Sequence, residues 1–88
     1  MKSRRTRRFR ECFDRLPLDV RNQARRAYEL FRDHPRHPGL RFKRVHGTEP
    51  VYSVRVGQGY RAVGVLQGDA IIWFWIGSHA DYDRLQRL

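Results

Sequence analysis

The spacing of apolar residues changes once along this chain, and the change separates two kinds of element. Before Pro35 the spacing is helical. Phe9, Cys12, Phe13 and Leu16 stand at i, i+3, i+4 and i+7, one stripe of a short helix that Pro17 ends. Val20, Ala24, Ala27, Tyr28 and Phe31 continue a second stripe, which predicts a helix over about 18–33. Asp19 in its first turn suits the positive end of the helix dipole, and Arg21, Arg25, Arg26 and Arg32 occupy its other face. The helix stops at His34, because Pro35 disfavours helical backbone at the residue before it. So short a connection at Pro17 folds the two helices into a hairpin.

From Leu40 onward the pattern becomes short runs rich in Val, Ile, Tyr and Trp, punctuated by Gly, Pro and Asp. These predict strands over about 40–45, 51–56, 60–66 and 70–76. Gly57-Gln58-Gly59 and Gln67-Gly68-Asp69 are short enough to force antiparallel hairpins, and glycine supplies the positive φ that such turns need. Ser78 followed by Asp81 resembles a capping box and predicts a terminal helix over 80–87. Residues 1–8, polar and basic, fit either a frayed tail or a short edge strand. With no repeat and no linker, the expectation is one α+β domain over 1–88: an N-terminal helical hairpin packed on a C-terminal antiparallel β-sheet meander, with a short C-terminal helix.

Alternation assigns faces within the strands. Tyr52, Val54 and Val56 point one way, and Ser53 and Arg55 the other. In the last strand Ile72, Phe74 and Ile76 share one face while Trp73 and Trp75 share the opposite one. Two readings follow: a central strand buried on both sides, or an aromatic surface on which bases stack.

Charge narrows the choice of partner. Nineteen Lys and Arg against nine Asp and Glu leave a formal +10, and Lys2 and Lys43 are the only lysines. Such a field attracts polyanions, and arginine adds bidentate contact with phosphate and stacking on bases. RNA is the expected acidic partner, although an Arg-rich proteome would produce the same bias. At this length a chain buries only roughly 60–65% of its unfolded surface, so its stability margin is thin without a partner. The single cysteine, Cys12, excludes an internal disulfide and suits a reducing compartment. The apolar run Ala70 to Gly77 is far short of the ~20 residues of a membrane helix, and no export signal precedes it. The expected location is the cytoplasm, away from membranes.

Several residues are candidates for chemistry. His34 and His37 have ligand-like spacing but lie in a Pro-rich connection without cysteine, so a loop is expected there and no metal. His46, in a turn after Lys43 and Arg44, fits either role. His79 stands just past the last strand and Arg61 at the start of the third, where neighbouring strand ends can bring them together with Lys43 or Arg41. Imidazole and cation suit phosphodiester transfer: a 2′-hydroxyl loses its proton, phosphate charge is stabilised and a 5′-oxygen gains a proton. The competing reading has His79 capping the terminal helix and Arg61 paired with Asp69 or Asp81.

Leu16-Pro17, the stretch His37 to Lys43, the segments Tyr52 to Val56 and Gly59 to Val63, and the ending Trp75 to Tyr82 together resemble the RelE/ParE superfamily of toxins from bacterial type II toxin–antitoxin pairs. The resemblance runs over nearly the whole chain, with the usual N-terminal strand shortened or replaced by the Arg-rich segment Lys2 to Arg10. It implies a helical hairpin on an antiparallel sheet, no cofactor and an acidic antitoxin as partner. It also implies one of two activities. RelE-like members are endoribonucleases that cut mRNA on the ribosome, whereas ParE-like members poison DNA gyrase without being enzymes. On the RelE-like side it implies Arg61 at the scissile phosphate, His79 as general acid or base, and Lys43 at a basic strand position. Tyr82 would stand near the C-terminal aromatic of the family, and Arg41, Arg44 and Arg55 would hold RNA. The expected function is a metal-free mRNA endoribonuclease; the alternatives are a gyrase inhibitor and a plain RNA-binding module.

Overall fold

The computed structural model describes residues 1–45 and 47–86. Its elements are β1 (Lys2–Arg5), α1 (Arg7–Asp14), α2 (Leu18–Asp33), a 3-10 turn (Pro38–Leu40), β2 (Lys43–Arg44), β3 (Val51–Val56), β4 (Tyr60–Gln67), β5 (Ala70–Ser78) and α3 (His79–Gln86). The mixed α+β architecture expected from the pattern is present. His46 and residue 87 lie outside the described residues.

Local chemistry sets the helix ends. Thr6 Oγ1 accepts the Phe9 N–H at 3.1 Å and caps α1. The N–H groups of Arg15 and Leu16 bond back to Cys12 and Phe13 carbonyls, and Pro17 then leads into α2 at φ −56°. At the far end His34 donates to the Leu30 carbonyl at 2.7 Å and turns out of the helix ahead of Pro35.

The five strands form one sheet in the order β1-β5-β4-β3-β2. From β2 to β5 the pairing is antiparallel, the expected meander. On the other side of β5 lies β1, paired in parallel, with Lys2 opposite Ala70 and Arg5 opposite Trp73. Of the two readings left open for the N-terminus, the edge strand is the one that forms. It is held by more than the ladder: Trp73 Nε1 donates to Ser3 Oγ at 3.4 Å, and the terminal ammonium reaches the Arg32 carbonyl at 3.2 Å. The sheet is therefore mixed rather than purely antiparallel.

Two strand expectations need correction. The first expected strand, 40–45, contracts to Lys43–Arg44, because Pro38 to Leu40 wind into the 3-10 turn and Arg41 adopts φ +48°. In β5 simple alternation fails. Val63 of β4 pairs with Trp75 but Gly64 pairs with Trp73, so Phe74 is an extra residue, a β-bulge. Trp73 and Trp75 consequently fall on opposite faces. Trp73 joins Phe9, Phe31, Val54, Val56, Ala62, Ile71 and Ile76 beneath the helices, while Trp75 packs with Val63 and Tyr82 on the other side. Both are buried, at 6% and 8% exposure, so neither offers a stacking platform. Of the α2 stripe, Tyr28 departs from expectation and remains 47% exposed.

Gly64 makes room for the bulge. A Cβ there would stand 2.8 Å from the Trp73 ring and 2.9 Å from the Ile72 carbonyl oxygen, and the backbone atom cannot move aside cheaply. Gly64→Ala is expected to destabilise the fold by about 1–3 kcal/mol, the usual range for overpacking, as a lower urea midpoint. An unchanged midpoint would mean that the close approach is not a constraint.

Candidate nucleic-acid interface

The sheet face away from the helical hairpin carries Ser53 and Arg55 from β3, Arg61 and Val63 from β4, and Trp75 from β5; α3 lies against it through Tyr82. Arg61 is the unusual residue here, a guanidinium with 9% exposure in a chain whose other arginines are mostly on the surface. Its Nη1 donates to Ser53 Oγ at 3.2 Å, and Ser53 is fully buried. Its Cζ stands 5.3 Å from the centre of the Tyr82 ring, within cation–π range. Opposite Arg61 in the ladder is Gly77, where a side chain would collide with the Trp75 ring.

The start of α3 presents His79. Its N–H bonds to the Gly59 carbonyl at 2.8 Å, fixing the helix to the β3–β4 turn. Ser78 Oγ accepts the Asp81 N–H at 3.1 Å, so Ser78 is the capping residue, leaving the imidazole exposed. That ring lies 6.0 Å from Tyr82 at an interplanar angle of 28°, and its Nε2 is 3.7 Å from Asp83 Oδ2 one turn along the helix. The alternative pairing for Arg61 does not occur: Asp69 pairs with Lys2 at 3.4 Å and Asp81 with Arg84 at 3.2 Å.

From the opposite wall β2 contributes Lys43 and Arg44, whose strand partners are Ser53 and Tyr52. The result is a shallow basic cleft lined by Lys43, Arg44, Val45, Arg61, His79, Tyr82 and Asp83. Five residues singled out from the sequence meet there: Lys43, Arg44, Arg61, His79 and Tyr82. Two do not. Arg55 donates from Nε to the Gly57 carbonyl at 2.8 Å, which holds it at the β3–β4 turn, and Arg41 follows the 3-10 turn on an exposed bend. Asp83 went unremarked in the sequence, though its i,i+4 spacing from His79 at a helix start was the available signal. Tyr82 is 4% exposed, so its ring supports Arg61 and His79 rather than standing open to a base.

Elsewhere, His37 Nδ1 accepts the Gly39 N–H at 3.0 Å and caps the 3-10 turn. Among the described residues, no group of three or more His, Cys, Asp or Glu is placed to hold a metal ion, and no helix is long and apolar enough to cross a membrane.

A short helical hairpin on one face of this sheet, with a basic cleft on the other, is the fold of the RelE-type toxins. The chain superposes on a chain of the RelB–RelE antitoxin–toxin complex from Methanococcus jannaschii with a TM-score of 0.70 at 21% identity, covering 92% of this chain and 96% of that one. YafQ from E. coli gives 0.73 at 9% identity, with 92% and 96% covered. The YoeB/ParE toxin from Agrobacterium tumefaciens gives 0.71 at 14% identity, with 90% and 99% covered. At these identities the likeness is one of fold. No curated protein matches the chain in sequence. Residues 18–84 match the model of the ParE-like toxin domain, and the chain belongs to that family as a toxin of the RelE/ParE class.

The Ser53–Arg61 bond is open to a direct test. Ser53→Ala leaves a buried guanidinium without its side-chain acceptor, and a loss of about 1–3 kcal/mol is expected in urea unfolding. A variant as stable as wild type would show that Ser53 does not hold Arg61.

Proposed function

We propose that this chain is the toxin of a toxin–antitoxin pair and acts in the cytoplasm, as one 88-residue domain, by RelE-like cleavage of mRNA. The fold serves two activities in this superfamily, so the choice between them rests on the chemistry of the cleft. The observation that carries it is Arg61, buried and clamped between Ser53 and Tyr82 in the same cleft as His79. A guanidinium fixed before the substrate arrives needs no reorganisation as phosphate charge develops, and partial exclusion of water strengthens its field. His79, at the rim, takes the proton of the ribose 2′-hydroxyl or returns one to the leaving 5′-oxygen. Lys43 and Arg44 on the opposite wall hold the backbone on either side of the scissile bond. The scheme calls for no cofactor.

Primer extension on mRNA, run with and without ribosomes, tests the proposal. Wild type is expected to cut. His79→Ala should lose 10²–10⁴-fold in rate, the usual value of acid–base help, with folding and RNA affinity nearly unchanged, whereas Arg61→Ala should lose both binding and cleavage. Equal cleavage by wild type and His79→Ala removes His79 from the mechanism. The match to the ParE-like domain favours a second reading, inhibition of DNA gyrase by binding. Inhibited supercoiling without any RNA cleavage would establish that one instead.

The partner follows from charge. An acidic antitoxin would neutralise the +10 field, and three structural neighbours were captured as antitoxin–toxin complexes. A short acidic reading frame beside this gene is expected. The complex with its product should weaken markedly between ~0.1 M and 1 M salt, as the Debye length falls from about 10 Å to about 3 Å. An affinity indifferent to salt would remove electrostatics as the basis of the pairing.

A further inference from the structure

One residue of the basic cleft carries a charge that opposes RNA binding. Lys43, Arg44 and Arg61 make the cleft attractive to a phosphate backbone, yet Asp83 lines it too, the one carboxylate among the described residues that do so. An anion there lowers the affinity of the cleft for a polyanion. Asp81, on the same helix, is different, because Arg84 neutralises it at 3.2 Å. Among the described residues the ion-pair contact of Asp83 is with His79 and with none of the cleft cations.

The helix explains the contact. His79 and Asp83 stand at i and i+4 of α3, so their side chains lie one above the other on one face, with Asp83 Oδ2 3.7 Å from His79 Nε2. The ring is restrained on other sides as well. Tyr82 stacks against it at 6.0 Å and 28°, and the His79 N–H bonds to the Gly59 carbonyl, which fixes the backbone from which the ring projects. Tyr82 is buried between Trp75 and Arg61, so it is a firm support. As a structural pair His79 and Asp83 contribute little, because both side chains are about half exposed, at 55% and 47%. The contact therefore bears on the chemistry of the ring more than on the stability of the helix.

We propose that Asp83 is a positioning residue that holds His79 by Nε2 and leaves Nδ1 to meet the substrate. This rests on the RNase reading. With the hydrogen of the neutral ring on Nε2, the lone pair is on Nδ1, and His79 enters the reaction as the base. The 2′-hydroxyl proton passes to Nδ1 as the 2′-oxygen bonds to phosphorus and the P–O5′ bond breaks. The leaving oxygen takes a proton from water, and the imidazolium returns its own to the hydroxide left behind. While it exists, that imidazolium stands among Lys43, Arg44 and Arg61, and the Asp83 carboxylate offsets the crowding of positive charge.

Two measurements test this, one of them independent of cleavage. Three-bond NMR couplings about the His79 side chain, measured on the full chain, should show one χ1 rotamer in wild type and rotamer averaging in Asp83→Ala. Averaging in wild type, or equal couplings in both proteins, overturns the proposal whether or not the chain cuts RNA. In the mRNA cleavage reaction Asp83→Asn should lower kcat about tenfold, far less than the ~10⁴-fold of a buried catalytic triad, because this pair is half exposed. KM should not rise, since a negative charge has left the cleft, and the melting temperature should not change. Asp83→Glu should retain near wild-type kcat, because the longer carboxylate still reaches across one helical turn. Adding Asp83→Asn to His79→Ala should cost nothing further, because both act through one ring. Full kcat in Asp83→Asn, a raised KM, or a loss that persists in the His79→Ala background would overturn the proposal. Failure of wild type to cut RNA would instead remove the RNase reading, and the couplings then decide by themselves whether Asp83 holds the ring.

Discussion

Strand β5 has no solvent face, and the rest of the molecule is arranged to cover it. Its backbone is paired on both edges, in parallel with β1 and antiparallel with β4. Its side chains are buried in two directions: Ile71, Trp73 and Ile76 under the helical hairpin, Trp75 under α3. Burying a large aromatic side chain contributes on the order of 1.5–3 kcal/mol, so two tryptophans on opposite faces tie both layers to one strand. The bulge at Phe74 makes the division possible, since it restores Ile76 to the helix side after Trp75 has turned away.

The basic cleft is a consequence of the same arrangement. Trp75 supports Tyr82 at 6.4 Å, and Tyr82 in turn flanks Arg61 and His79. Gly77 keeps the space beside Trp75 clear, and the hydrogen bond from His79 N–H to Gly59 anchors α3 where β5 ends. The cleft side chains thus stand on strand and helix termini whose positions are determined by packing, rather than on a free loop. Arg61 differs in kind from the arginines of α1 and α2. Those contribute to the long-range field of the molecule, whereas Arg61 is largely withdrawn from water and held in one place by Ser53 and Tyr82.

The surface electrostatics point to a molecule that gains from company. The ion pairs of Lys2 with Asp69 and Arg7 with Glu11 are exposed, and such pairs contribute little, typically below 1 kcal/mol. Against them stands the mutual repulsion of a +10 chain with a modest core. An acidic polymer, whether nucleic acid or protein, relieves that repulsion in proportion to the charge it covers.

What the amino-acid sequence determined unaided was everything governed by neighbours a few residues apart. The stripe from Phe9, the stripe from Val20 apart from exposed Tyr28, the stops at Pro17 and Pro35, the hairpin turns at Gly57 and Gly68, and the Ser78 cap all act over one or two turns of chain, and each appears as expected. So does the alternation of Tyr52, Val54 and Val56 against Ser53 in β3. Tertiary structure alone decided the rest. A strand at Lys2–Arg5 exists because β5 offers an open edge some seventy residues away, which no local pattern of basic residues can announce. The separation of Trp73 from Trp75 depends on one unpaired residue, and a shift of one reverses every side chain beyond it. The same holds in the cleft: Arg61, His79 and Lys43 meet because three strand ends converge, while Arg41 and Arg55, equally basic in the sequence, are turned elsewhere by a left-handed backbone and by the Gly57 carbonyl. Charge and residue type are written in the sequence, but which charges share a site depends on contacts that form only when distant segments pack.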